Sequence, residues 1–434
     1  MELHLPIYSG IPFVLMLGCI AVLPLFAKHF WESNRNKLIV ALALGIPTAI
    51  YVIILGMPDK VEHTILFDYI PFIILLSSLF VITGGIFIDV NYEPTPKNNT
   101  MLLLIGGILA SFIGTIGAST LLIRLLLNTN KLRTRKLHLV LFFIAIVANC
   151  GGLLTPLGDP PLFMMYLRGV DFFWFFNLFP YWLFVNGTLL IMCFIIDKYH
   201  YSKEPTTNTQ KVITKKQSFK IDGKINFFWL LIVILAVAFL NPSILPFMKQ
   251  NPYFDLLRNV VILLALFLSL LTTKKDTRLK NNFNWEPITE VAYLFLGIFL
   301  TMLPVIILLE ENANSIKITT PTQFYFITGI LSSVLDNTPT ALTFYSLANN
   351  LFGDADAVRF VAGIPEIFMK EICLGAVFFG SITYIGNGPN FMIKSIAEQE
   401  GITMPHFFQY MIKFSLIIIL PTLILCNIIF NFIF

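Results

Sequence analysis

Apolar residues come in long unbroken runs along this chain, and the polar stretches between them are short. A membrane-spanning helix needs about 20 consecutive apolar residues. Runs that qualify cover residues 11–27, 38–57, 70–88, 101–127, 137–168 and 172–196. After a polar interval come 227–247, 254–272, 287–309, 322–352, 372–397 and 408–434. The pattern predicts an all-α polytopic membrane protein with six runs on each side of a central linker, residues 197–226. Composition removes the soluble alternative. With 56% hydrophobic and 12% charged residues in 434, no water-soluble fold could cover the apolar surface.

Charge placement changes the picture more than the net charge of +4 does. Basic loops are residues 28–37, 131–136 and 274–280, together with the linker, which carries Lys198, Lys203, Lys211, Lys215, Lys216, Lys220 and Lys224. Acidic or neutral loops are 58–67, 310–320 with Glu310 and Glu311, and 353–365 with Asp354 and Asp356. Cytoplasmic loops carry the excess of Lys and Arg. With loop 28–37 inside, the third span ends inside at 89–100, and 131–136 must lie inside too. The run 101–127 therefore enters and returns as a re-entrant hairpin. The same count puts 310–320 and 353–365 both outside, so 322–352 is a second hairpin, entering from the opposite face. An arm of about 14 residues rises roughly 21 Å, enough to reach the middle of a core about 30 Å thick without crossing it.

Each half then crosses the membrane five times, so its two copies have opposite orientation. Residues 1–196 form a first inverted repeat, with hairpin 101–127 and broken helix 137–168. Residues 227–434 form a second, with hairpin 322–352 and broken helix 372–397. Both termini fall outside and the linker is a basic cytoplasmic tether. The alternative, twelve plain crossings with parallel halves, puts 131–136 outside, against the charge rule. The opening MELHLPIYSG has neither a basic n-region nor a small-residue cleavage site, so the first run is expected to stay as a membrane helix. The five cysteines, Cys19, Cys150, Cys193, Cys373 and Cys426, lie singly in apolar runs and read as reduced packing residues.

One motif occurs twice. Residues 152–164 read GLLTPLGDPPLFM and residues 380–392 read GSITYIGNGPNFM. Without a gap they share Gly152/Gly380, Thr155/Thr383, Gly158/Gly386, Pro161/Pro389, Phe163/Phe391 and Met164/Met392, and Asp159 faces Asn387. Gly and Pro at membrane depth break a helix, and freed backbone groups are tolerated there only in protein or beside a polar cavity. Breaks at matching places in two halves point to a transporter's binding site.

Ionisable groups at that depth cost about 2.5 to 3.5 kcal/mol each on insertion scales, so each needs a reason. Asp159 lies in the first break, and Asp336 lies in SSVLDNTPTAL at the tip of the second hairpin. Small oxygen-bearing or amide residues surround them: Thr155, Asn337, Thr338, Thr383, Asn387 and Asn390. The tip of the first hairpin, GTIGAST, adds Thr115, Ser119 and Thr120. Such oxygens are hard ligands, suited to Na⁺ or H⁺, although helix N-termini at a break can also hold an anion. No Lys or Arg falls at a tip or break. The nearest, Arg124, reads as snorkelling to the cytoplasmic face. The plainer reading of each acid is a helix cap, Asp159 in GDPP and Asp336 in DNTP, and a capping oxygen can also coordinate an ion. The histidines fall in or near loops, and Glu366/Lys370 reads as a surface i,i+4 pair.

At LLTPLGDPP, LDNTPT and IGNGPNFM the chain resembles the ion transporter superfamily, over residues 101–434. That superfamily includes D-type sodium/proton antiporters, citrate–metal carriers, dicarboxylate carriers and arsenite efflux carriers. LDNTPT resembles the Asp-Asn hairpin of the D-type antiporters, and TPLGDPP the matching helix break of sequences grouped with them as sodium/proton antiporters or citrate carriers. The resemblance implies an ion site lined by Asp159, Asp336, Asn337, Thr338, Asn387 and Asn390, and a homodimer through the outer helices. The Ser-Asn-Thr tip that dicarboxylate carriers use twice is absent, with only Asn337-Thr338 matching it once.

The expected function is a Na⁺/H⁺ antiporter of the elevator type in a bacterial inner membrane, with Na⁺ bound at Asp336, Asn337 and Asp159. Its expected partners are the lipid bilayer, Na⁺ and protons. No cofactor, nucleic acid or catalytic residue is expected, and no P-loop, HExxH or Ser/His pair is present. The rival expectation is a citrate or other carboxylate carrier coupled to Na⁺, H⁺ or a divalent metal.

Overall fold

The computed structural model describes residues 5–90, 92–204, 219–312, 317–353 and 359–432. Lys211, Lys215, Lys216, Asp354 and Asp356, and the side chains of Glu310 and Glu311, lie outside the described residues. The long helices of the first half are α1 (Ile11–Phe26), α2 (Asn34–Ile54), α3 (Ile70–Thr83), α4 (Pro96–Ile113), α5 (Thr115–Thr129), α6 (Leu137–Ile146), α7 (Pro160–Leu167) and α8 (Phe179–Tyr201). Those of the second are α9 (Ile225–Phe239), α10 (Asp255–Thr272), α11 (Glu286–Asn312), α12 (Pro321–Ser332), α13 (Asn337–Phe352), α14 (Glu366–Phe379), α15 (Gly388–Gln399) and α16 (Leu420–Phe432).

Local chemistry explains the boundaries. Thr95 caps α4 with Pro96 behind it, and Thr320 and Gln323 form a capping box at the start of α12. Between α4 and α5 stands only Gly114, at φ +80°, a conformation that other residues adopt at a cost. The two helices pack on each other across it, which makes a hairpin. Residues 333–336 turn α12 into α13 in the same way.

Among the described residues seven helices are long and apolar enough to cross a membrane: Ile7–Pro24, Asn34–Ile54, Pro58–Thr83, Phe172–Tyr201, Asp255–Thr272, Glu286–Leu309 and Phe407–Asn431. None of them is a hairpin arm or part of a broken helix. Exposed Ile46, Ile50 and Ile53 on α2 and Leu264, Phe267 and Leu271 on α10 form part of the lipid-facing surface of an integral membrane protein.

Packing pairs recur with a shift of eight helices. α2 lies on α11 and α10 on α3; α1 lies on α11 and α9 on α3; α5 lies on α15 and α13 on α7. α1–α3 pack with α9–α11 as one group and α4–α8 with α12–α16 as another, which holds both breaks; α11 on α13 and α3 on α5 join the two groups. The second group is the more deeply buried: in α14 every residue from 371 to 379 is buried.

Three expectations need correction. The run 227–247 is a helix only to Phe239, because the Asn241 side chain accepts from Ser243 N at 3.0 Å and Ile244 N at 3.2 Å and turns the chain. The linker is not wholly a tether, and the third span stops early. Residues Phe219–Asp222 pair antiparallel with Phe87–Val90, and Lys280 fixes the turn by an ion pair to Asp222 at 2.7 Å.

The two groups are tied at one end. Arg168, just past α7, donates to Asp68 Oδ2 at 2.9 Å, and the Tyr166 hydroxyl donates to Val237 O at 2.7 Å while accepting from Arg258 at 2.9 Å. The Asp68 side chain is only 4% exposed. Arg168→Leu leaves that carboxylate with the distant His63 at 3.9 Å, and should lower stability by about 2 kcal/mol, below the fully buried case because Arg168 is 22% exposed. Thermal unfolding of the purified variant in detergent measures the loss.

Candidate functional site

Two interruptions meet at the centre of the molecule. α6 ends at Ile146, and the chain passes through a tight turn at Cys150–Leu153 before α7 begins. α14 ends at Phe379, and residues 380–387 lead into α15. Asp159 and Asn387 precede α7 and α15 with nearly identical backbone angles, φ −142°, ψ 143° and φ −147°, ψ 141°. Each is followed by Pro within the first helical turn, where its missing N–H costs nothing. Gly158 is required by contact: a Cβ there would lie 2.0 Å from Gly152 O.

Freed backbone groups at this depth must find partners, and the repeated threonines supply them. The Thr155 hydroxyl donates to Ser111 O and accepts from Leu157 N at 3.2 Å. The Thr383 hydroxyl donates to Ser333 O and accepts from Ile385 N at 3.1 Å and Gly386 N at 3.0 Å. Each threonine stitches its break to the hairpin of its own half. Around the first break, Ser111 donates to Gly151 O, Trp182 to Gly151 O and Asn186 to Cys150 O. Around the second, Asn390 donates to Gly380 O at 2.8 Å and Thr383 O at 2.9 Å, and the Tyr410 hydroxyl to Ser381 O.

Asp159 sits where these pieces converge. Its carboxylate is 1% exposed and makes no helix-capping bond. Oδ1 accepts from the Thr115 hydroxyl at 2.9 Å and from Asn387 Nδ2 at 3.1 Å, and Oδ2 from Asn337 Nδ2 at 2.9 Å. One donor comes from the first hairpin tip, one from the second tip and one from the second break. Four helices, α5, α7, α13 and α15, begin within a residue of Asp159 or one of its donors, so their positive dipole ends gather around one buried acid. No Lys, Arg or His bonds it among the described residues.

Other expected residues divide. Asn337 and Asn387 join Asp159, the Asn390 amide instead holds the second break and meets Asn149, and Thr155 and Thr383 hold the backbone. Asp336 is half-buried and does cap α13, accepting from Thr338 N at 3.1 Å, so the plain reading of its motif holds. Among the described residues the buried Thr338 and Ser119 hydroxyls have no hydrogen-bond partner, and Thr120 donates to Ile116 O in its own helix. Arg124 is half-buried on α5 and makes no ion pair among the described residues.

Sequence reasoning passed over Asn149. Its Nδ2 donates to Asn390 Oδ1 at 2.7 Å, bridging the two breaks. The repeat hid it, because its aligned position is Val377. Also missed was Glu371, a second deep acid, 2% exposed, whose carboxylate accepts from Asn431 Nδ2 at 2.7 Å and Asn427 Nδ2 at 3.4 Å. Asp197, at the end of α8, is buried with Arg133, His138 and Asn99 around it.

Interrupted helices carrying polar side chains in the interior of a lipid-facing bundle define a membrane transport protein. A family model described as "Putative citrate transport" matches residues 2–431, nearly the whole chain, and the chain belongs to that family. No curated protein matches it.

The matched threonines give a paired test. Thr155→Val and Thr383→Val each leave a buried carbonyl and at least one N–H without a partner, at about 2 kcal/mol apiece. Both should lower the unfolding midpoint by similar amounts in detergent.

Proposed function

We propose that this chain is a secondary active transporter exchanging Na⁺ for H⁺, with Asp159 as the carboxylate that binds either ion. The observation that carries this reading is the environment of Asp159: a buried acid held by one hydroxyl and two amides, with no basic side chain in contact. An uncompensated buried carboxylate costs several kcal/mol, which a proton or a small cation removes. The two ions compete directly, since a protonated Asp159 no longer attracts Na⁺. Exchange then needs no separate machinery. Asp336, at the second hairpin tip, serves as a second acid near the path, and Thr155, Asn337, Thr338, Asn387, Asn390, Thr383, Ser119 and Thr120 complete the polar lining.

In this reading residues 1–196 and 227–434 are inverted repeats with five crossings each, the two hairpins enter from opposite faces, and the basic linker is cytoplasmic. The packing pairs that recur eight helices apart, and the equal conformations of Asp159 and Asn387, support it. Movement is of the elevator type. The group with both breaks slides against α1–α3 and α9–α11, and the ties of Arg168 and Tyr166 to that scaffold break and re-form. The setting is a bacterial inner membrane with both termini outside, and a homodimer through the outer helices.

A second reading, carriage of citrate or a related carboxylate with a coupling cation, is favoured by the family description and by the helix N-termini around the site. Purified protein in liposomes with an internal pH dye and an imposed pH gradient separates the two. Na⁺ alone should collapse the gradient, and Asp159→Asn should abolish the response in a protein that still reconstitutes. Silence to Na⁺, with a response only when citrate is added, would replace the antiporter by the carboxylate carrier. Asp336→Asn should keep its cap, because Asn caps about as well as Asp, yet shift the pH dependence of exchange. Full exchange with an unchanged pH profile would remove Asp336 from the mechanism.

A further inference from the structure

Asn149 has an amide whose orientation can be deduced. Asn390 spends both N–H groups on backbone carbonyls, Gly380 O at 2.8 Å and Thr383 O at 2.9 Å, so its Oδ1 must face Asn149. Asn149 Nδ2 in turn donates to that oxygen at 2.7 Å and to Ile144 O at 2.8 Å. Flipping the Asn149 amide would set its oxygen against two acceptors. Asn149 Oδ1 is therefore an oxygen that faces away from both, on a fully buried residue, with no donor to satisfy it among the described residues.

A second oxygen-rich contact lies beside it. The Ser332 hydroxyl is 2.5 Å from Asn337 Oδ1 and 2.6 Å from Ala376 O, yet it has one proton to give. One of these short contacts is an oxygen facing an oxygen. The two places are neighbours: a Cβ on Gly380 would lie 2.9 Å from Asn149 Oδ1 and 2.8 Å from both polar atoms of the Asn337 amide. Asn337 Nδ2 meanwhile donates to Asp159 Oδ2. An unsatisfied carbonyl oxygen and a crowded pair of oxygens thus flank the bare Cα of Gly380, one side chain away from the buried carboxylate.

We propose that Asn149 Oδ1 is a direct ligand of the transported cation, and that with Asn337 Oδ1 it forms a neutral-oxygen seat over Gly380 next to Asp159. This rests on the cation-exchange reading and adds to it the group that separates Na⁺ from H⁺. A proton needs only the carboxylate, whereas a metal cation needs several hard oxygens at once. Loss of Asn149 Oδ1 therefore weakens Na⁺ and leaves proton binding at Asp159 in place.

The test uses the full-length protein in detergent, titrated with NaCl against choline chloride at constant ionic strength, reading the cation-dependent rise in unfolding midpoint. Asn149→Ala should raise the half-saturating Na⁺ concentration about tenfold, the effect of losing one satisfied oxygen contact. The dependence of the midpoint on pH should stay as in the wild type. Gly380→Ala, whose methyl group would lie 2.9 Å from Asn149 Oδ1 and 2.8 Å from the Asn337 amide, fills the seat and should weaken Na⁺ in the same direction. It serves as the test if Asn149→Ala does not fold. A folded Asn149→Ala or Gly380→Ala protein with wild-type Na⁺ half-saturation overturns the proposal, and the orphan oxygen is then the partner of a buried water. If the wild type neither exchanges Na⁺ in liposomes nor gains stability from it, the antiporter reading falls and this inference falls with it. If the wild type exchanges Na⁺ and the variant's Na⁺ response is unchanged, only the inference falls.

Discussion

The buried carboxylate of Asp159 organises the centre of this molecule. A single acid with no basic partner can stand in the interior of a membrane protein only if other groups solvate it. Here the solvating groups are Thr115, Asn337 and Asn387, which belong to three segments far apart in the chain. Each comes from a helix start, so partial positive charge accompanies each hydrogen bond. Remove the acid, and the two hairpin tips and the second break lose the group on which they meet.

That meeting imposes a requirement on the backbone. Helices that stop in the middle of a membrane expose carbonyls and N–H groups with no water to receive them. Thr155 and Thr383 answer it identically in the two halves, each joining its break to its hairpin. Gly158 lets the strands of the first break cross, and Gly114 lets α4 reverse into α5 without a longer loop. The polar ties between the two groups include Asp68–Arg168, the bonds around Tyr166, and Ser243 donating to Asp171 at 2.9 Å.

Much of this was legible in the sequence for a physical reason. Gly and Pro clustered at matching places in the two halves mark the breaks at GLLTPLGDPP and GSITYIGNGP, whereas the single prolines Pro24, Pro47 and Pro304 stay inside continuous helices. The basic loop at 131–136 argued for a hairpin before any helix boundary was known, and the structure has α4 and α5 joined by one residue. What could not be read were partnerships set by three-dimensional proximity. Asn149 has no counterpart in the second half, Glu371 belongs to no motif, and Arg168 stands at the end of a predicted span. Their partners Asn390, Asn431 and Asp68 lie far off in sequence. The pairing of Phe87–Val90 with Phe219–Asp222 was hidden because its first strand reads as the tail of an apolar run.

The central claim is competition between Na⁺ and H⁺ at one carboxylate. Equilibrium binding of radioactive Na⁺ to the purified protein, measured across a pH series without any carboxylate present, addresses it most directly. The account predicts that acidification weakens apparent Na⁺ affinity while the number of sites at saturation stays constant, and that Asp159→Asn loses both the binding and its pH dependence. Na⁺ binding that ignores pH, or that appears only when citrate is added, would contradict it.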